Sequence, residues 1–163
     1  MKVMRIILVF CLATLVFAGC RKDESRNQQG DFFPPVNVDF YVNLNLPSYA
    51  DLQFTNGYAY ELNQGYRQRG IIIYNTGFEG QEKYVAFDRS CPVNVDSSCS
   101  YVSVEASGIF FKCGQFKGSN FTSCCGSRFV ASNGSQIEGP AKRGLRQYYV
   151  RNLGTQLHIT ATP

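Results

Sequence analysis

Tryptophan is absent from this 163-residue chain, and histidine occurs once, as His158. No site that needs two imidazoles can be assembled within it. A dominant charge is missing too. The formal net charge is +4, and Lys2 and Arg5 in the leader account for two of those charges, leaving +2 for the rest. With no basic stripe, that balance carries no nucleic-acid footprint. No stretch keeps a helical period and no internal repeat is visible. Hydrolase signatures and a phosphate-binding glycine loop are also missing. No catalytic activity of its own is expected. His158 sits in the last alternating segment and reads as a structural or surface residue.

What is present favours strands. Aromatic residues make up 14% of the chain, and fifteen glycines supply tight turns. The length suits one domain behind a leader. The leader begins Met1-Lys2-Val3-Met4-Arg5 and continues apolar from Ile6 to Ala18, apart from Thr14. That run is too short to span a bilayer, which needs about 20 residues. It has the layout of an export signal. It ends Val16-Phe17-Ala18-Gly19-Cys20, which resembles a bacterial lipobox with Phe17 in place of the usual Leu. The resemblance implies cleavage after residue 19, with Cys20 becoming a lipidated N-terminus. Each buried CH₂ of such an anchor is worth about 0.8 kcal/mol. It also implies an outer-membrane lipoprotein of a Gram-negative bacterium, periplasmic or surface-exposed. Arg21-Lys22-Asp23-Glu24 resembles a surface-export tag and equally suits a solvated tether. The polar stretch from Ser25 to Pro35 reads as a flexible linker.

The domain is expected over residues 36–163. Val36–Val42 alternates as an opening strand, and Gly57–Leu62 suits a second. Ile71-Ile72-Ile73-Tyr74 is continuously apolar, as in a strand buried on both faces. Tyr84–Phe87, Tyr101–Glu105, Phe110–Lys112, Asn120–Thr122, Leu145–Val150 and Gln156–Thr160 supply the rest. The fold class is therefore all-β, an antiparallel sandwich or barrel with a loop-rich subdomain at about 88–141.

Seven cysteines are present. Cys11 leaves with the leader and Cys20 is assigned to lipid. Cys91, Cys99, Cys113, Cys124 and Cys125 remain, all within 35 positions. In an oxidising compartment such clustering points to disulfides, and the odd number leaves a thiol over or a metal site. A hairpin turning at Ala106–Gly108 would bring Cys113 near Cys99. One turning at Lys117-Gly118 would bring it near residues 122–124. Spacing does not choose between them. Adjacent Cys124 and Cys125 differ from the Cys-x₂₋₄-Cys pairs of structural zinc sites.

Ser123-Cys124-Cys125-Gly126-Ser127-Arg128-Phe129, then Asn133-Gly134, Gly139-Pro140-Ala141 and Leu145-Arg146-Gln147-Tyr148, resembles the second half of a Rieske iron–sulfur domain. Tyr84–Val93, with Cys91 near its end, resembles the strand and first ligand loop of that family. The similarity covers roughly residues 36–161. It implies a [2Fe–2S] cluster held by two Cys and two His. By position, Cys91 falls at the first Cys ligand and Val93 at the first His. Cys125 falls at the second His and Thr122 at the second Cys. Cys91 and Cys125 are the surviving candidate metal ligands, with Cys113 or Thr122 as further ones. The resemblance also places Cys124 where the family has a bridging Cys. That implies a Cys99–Cys124 disulfide, with Cys113 offering rival pairings. Ser127 falls where the family hydrogen-bonds a cluster sulfur, or else simply closes the loop.

Two readings follow. One is a membrane-anchored lipoprotein with a Rieske-like redox domain whose ligands are only partly retained, meeting an unidentified protein or redox partner. The other is a cluster-free, disulfide-stabilised binding or structural module at the cell surface.

Overall fold

The computed structural model describes residues 34–163. The export signal, Cys20 and the tether as far as residue 33 lie outside the described residues. Ten strands follow in order: β1 (Asp39–Asn43), β2 (Tyr58–Glu61), β3 (Ile71–Asn75), β4 (Tyr84–Asp88), β5 (Val102–Val104), β6 (Phe110–Lys117), β7 (Asn120–Val130), β8 (Gln136–Glu138), β9 (Gln147–Asn152) and β10 (Gln156–Thr160). The helical turns among the described residues are short 3₁₀ segments at Pro47–Gln53, Tyr66–Gln68 and Gly80–Lys83.

The expected all-β class is what the chain adopts. A six-stranded antiparallel sheet runs β1-β10-β9-β4-β3-β2, and a four-stranded one runs β5-β6-β7-β8. The two ends of the domain meet in the larger sheet, where Phe40 lies opposite Ile159.

The isoleucine run explains why there are two cores. Successive strand residues point to opposite faces. Ile72 and Tyr74 of β3, with Val85 and Phe87 of β4, enter a core shared with Val102, Val104, Phe111 and Phe129 of the smaller sheet. Ile71, Ile73, Tyr84 and Ala86 point the other way, into a second core closed by Val42, Leu52, Leu157 and Ile159. All five residues of β3 are buried, as its continuous apolar run predicts. Phe87 and Phe111 are fully buried and meet edge to face, centroids 5.8 Å apart. Burying such a side chain contributes about 1.5–3 kcal/mol.

The segment 88–141, expected to be loop-rich, holds the whole four-stranded sheet and one long loop, residues 89–101. The stretch through Cys124 and Cys125 is not a loop but part of β7. Its Gly and Ser residues do not break the strand, because β6 pairs with it on both sides of an irregularity.

Candidate thiol centre

The first cysteine loop starts at the end of β4. Asp88, fully buried there, accepts hydrogen bonds from the Tyr148 hydroxyl (2.6 Å) and from the backbone N–H groups of Tyr66 (2.6 Å) and Ser90 (2.7 Å). Burial first, and the adjacent carboxylate second, push the Tyr148 phenol well above its ordinary range. Arg89 lies over the Tyr60 ring, 4.2 Å from its centroid. These two residues close the turn that launches Cys91.

The loop is then shaped from inside by Arg69. Its buried guanidinium donates to the carbonyls of Val95 (2.6 Å), Ser100 (2.8 Å) and Ser97 (2.7 Å). The Cys91 N–H donates to the Ser100 carbonyl, and the Ser100 hydroxyl donates back to the Cys91 carbonyl at 3.0 Å. Cys91 is thereby held by its own backbone. Sequence reasoning missed Arg69. Its partners are carbonyl groups, which every residue carries, so no motif marks them.

The second half of the centre comes from a register shift. Lys112 lies opposite Arg128, yet Gly114 lies opposite Ser123. One residue of β6, Cys113, therefore faces four of β7, Cys124 to Ser127. The extra length bows outward at Gly126, whose φ is +74°. Gly139 packs closely over the bow. A Cβ there would lie 2.5 Å from the Ser127 Cα and 2.7 Å from the Gly126 carbonyl oxygen. The fully buried Ser127 hydroxyl accepts from the Ala141 N–H at 3.0 Å and lies 3.3 Å from the Cys125 sulfur. It joins the Gly139-Pro140-Ala141 segment to the cysteines.

Cys124 and Cys99 form the expected disulfide, with Cα atoms 5.4 Å apart. Cys91, Cys113 and Cys125 remain free. Their three sulfur atoms all lie within 4.8 Å of one another, and those of Cys91 and Cys125 are 3.5 Å apart. Cys91 and Cys113 are buried, whereas Cys125 is half-buried. The third member, Cys113, has no counterpart in the family pattern. The sequence signal for it is the Lys117-Gly118 turn, which folds β6 back against β7.

The Cys91 and Cys113 thiols are driven in opposite directions. A hydrogen bond from Cys113, helped by the Val93 N–H, Cys125 and Ser100 and opposed by burial, lowers Cys91 to about 7. The same contact with Cys91, reinforced by burial and by Cys125, pushes the Cys113 thiol far up. Cys91 is therefore the more acidic of the two, and Cys113 keeps its proton.

The other candidates lie apart. Thr122 is exposed and pairs with Gln115 in the regular part of the ladder. Val93 packs its side chain against the shared core and offers no donor atom. His158 stands in β10 of the other sheet, its Nε2 2.7 Å from Asp39 Oδ1 and its ring stacked on Tyr41. A Rieske cluster needs two imidazoles beside two thiolates, and an all-cysteine [2Fe–2S] site needs four thiolates. The residues at this centre fit neither donor set.

Among the described residues, the fold and centre define an antiparallel β domain with one disulfide and a cluster of three thiols. Compared with known proteins, the chain matches no family model and no curated relative.

Proposed function

We propose that this chain is a lipid-anchored envelope protein whose Rieske-like β scaffold works without a [2Fe–2S] cluster, as a disulfide-stabilised binding module. The observation that carries this reading is the donor set. The single imidazole is engaged with Asp39 in the opposite sheet, and Cys124 is committed to the disulfide, which leaves three sulfur ligands. The anchor rests on the leader and Cys20. Among the described residues, no helix is long and apolar enough to cross a membrane. The lipid on Cys20 is the membrane contact that this reading supplies.

The electron-transfer alternative keeps one supporting observation. Cys91 and Cys125, from the two loops that carry ligands in the family, do face one another. One preparation separates the readings. Full-length protein, exported and purified in detergent without oxygen, is assayed for iron, visible absorption and free thiols under denaturant. The cluster-free reading expects no iron, no visible band and three free thiols in the domain. Two irons per chain with a coloured spectrum would establish the electron-transfer reading instead.

A further inference from the structure

We infer that Cys91, Cys113 and Cys125 together bind a single thiophilic divalent metal ion of the zinc class, leaving one coordination position open toward solvent. This deepens the binding-module reading and rests on it in one respect: no iron–sulfur cluster occupies the same sulfurs.

Geometry comes first. Zinc–sulfur bonds are about 2.3 Å long, so tetrahedral thiolate ligands sit roughly 3.8 Å from one another. The three sulfurs here span that spacing, with Cys91 and Cys125 3.5 Å apart and all pairs within 4.8 Å. They arrive from three separate segments, the 89–101 loop, β6 and the bowed part of β7, and so surround a point instead of lining a strand. Preorganisation comes second. Arg69 and Ser100 fix the Cys91 backbone, the register shift fixes Cys113, and Ser127 braces Cys125. A site needs such support around its ligands to hold metal tightly. Access comes third, since Cys125 is the half-buried member of the three cysteines and the other two are buried.

Donor type and charge select the ion. An all-sulfur set disfavours magnesium, calcium and manganese. Three thiolates and a divalent ion leave one net negative charge, whereas a monovalent ion such as Cu(I) leaves two. Two of the three sulfurs are buried, and residual charge in a buried site is costly. Three ligands with a fourth, open position is also an arrangement zinc adopts. On binding, each thiol surrenders its proton to solvent as its sulfur lone pair bonds the metal: M²⁺ with three thiols gives the tris-thiolate complex and three protons. No electron is transferred.

The test uses the full-length protein purified without oxygen. Zn(II), Co(II) and Cu(I) are titrated separately, with metal content and the Co(II) absorption bands as readouts. One Zn(II) or Co(II) per chain is expected, with thiolate charge-transfer absorption for Co(II). Cys113→Ser and Cys125→Ser are each expected to weaken binding roughly 100-fold or more, and Thr122→Ala to leave it unchanged. On the unmodified protein, bound Zn(II) is expected to slow alkylation of Cys125 at least tenfold, a readout independent of how the variants fold. Failure to bind Zn(II) or Co(II), binding of Cu(I) alone, unchanged affinity in both Cys→Ser variants, or no protection of Cys125 would each overturn the assignment. Absence of both iron and zinc sinks this inference and leaves the cluster-free reading standing. An iron-loaded, coloured protein sinks that reading itself.

Discussion

The two sheets of this domain are held by different means. The six-stranded sheet contains no cysteine in any strand, and β3 and β4 bury apolar side chains on both faces. The four-stranded sheet and the loop that feeds it hold all five domain cysteines. The loop is clamped by the buried Arg69 guanidinium reaching across from the β2–β3 connection, and the smaller sheet adds an Arg128–Glu105–Glu138 ion-pair network. Apolar contact is non-directional and tolerant, so it suits a platform. Disulfides, thiols and buried hydrogen bonds are directional, so they suit a site whose atoms must stay in place. The difference teaches that stability and chemistry are divided between the sheets, with the shared core as the hinge between the two roles.

The largest expected effect tests the shared core. Phe111→Ala removes a fully buried ring that meets both Tyr74 and Phe87 edge to face. We expect a loss of about 3–5 kcal/mol in denaturant unfolding, with both sheets melting together. Separate transitions for the two sheets would break the division proposed above.

Next comes the disulfide. Replacing Cys99 and Cys124 together by Ser releases a closure spanning 25 residues and is expected to cost about 2–4 kcal/mol. Hydrogen exchange should rise in the 89–101 loop and β7 and stay low in β3. Equal loosening of β3 would show that the smaller sheet supports the larger one.

Arg69→Met is expected to cost about 2–3 kcal/mol, because three carbonyls lose a charged donor and two of those contacts are buried. Its distinguishing readout is Cys91, which should alkylate faster once the loop loosens.

A smaller effect, on the order of 1 kcal/mol, is expected from pH in the metal-free protein with its disulfide intact and Cys91, Cys113 and Cys125 as free thiols. Cys91 is depressed to about 7 in the fold. Its contribution is fully present above the unfolded thiol value of about 8.5 and is lost as pH falls through 7. Cys113 is raised, so the fold keeps a proton that the unfolded chain gives up. Its effect has the opposite sign, and stability declines as pH rises beyond the unfolded value. Thermal melts should therefore show a maximum between about pH 7 and 9. That maximum should disappear in Cys91→Ser.

The smallest expected effect is at the surface. Arg67 and Asp96 form an ion pair with both side chains more than half exposed, so Arg67→Ala should change stability by less than about 1 kcal/mol.

Much of the larger sheet was legible in the chain itself. Alternation marks β1 and β9, and the apolar run at 71–74 announces a strand buried on both faces. The smaller sheet was harder to read. Lys112 looked like the end of a strand that continues to Lys117, the 123–129 stretch looked like a loop, and β8 carried no signal. Glycine and serine spacing reads as a loop whenever the partner strand is unknown, and here the partner restores the ladder on either side of Gly126. The Cys99–Cys124 pairing came from a family resemblance. Cys113 was one of two further candidate ligands beside Cys91 and Cys125, and the Lys117-Gly118 turn folds it back toward β7, but nothing in the chain chose it over Thr122.

Sequence alone therefore determined the all-β class, the absence of a two-imidazole site and a cluster of five domain cysteines. Those properties depend on composition and on local periodicity, which any stretch of chain carries with it. Which cysteines bond and which stay free, how Arg69 clamps the first loop, and where three sulfurs meet were decided by tertiary structure. Each depends on the register between strands far apart in the chain. A shift of a few residues in β7 against β6 would move Cys125 away from Cys113 without altering the composition at all.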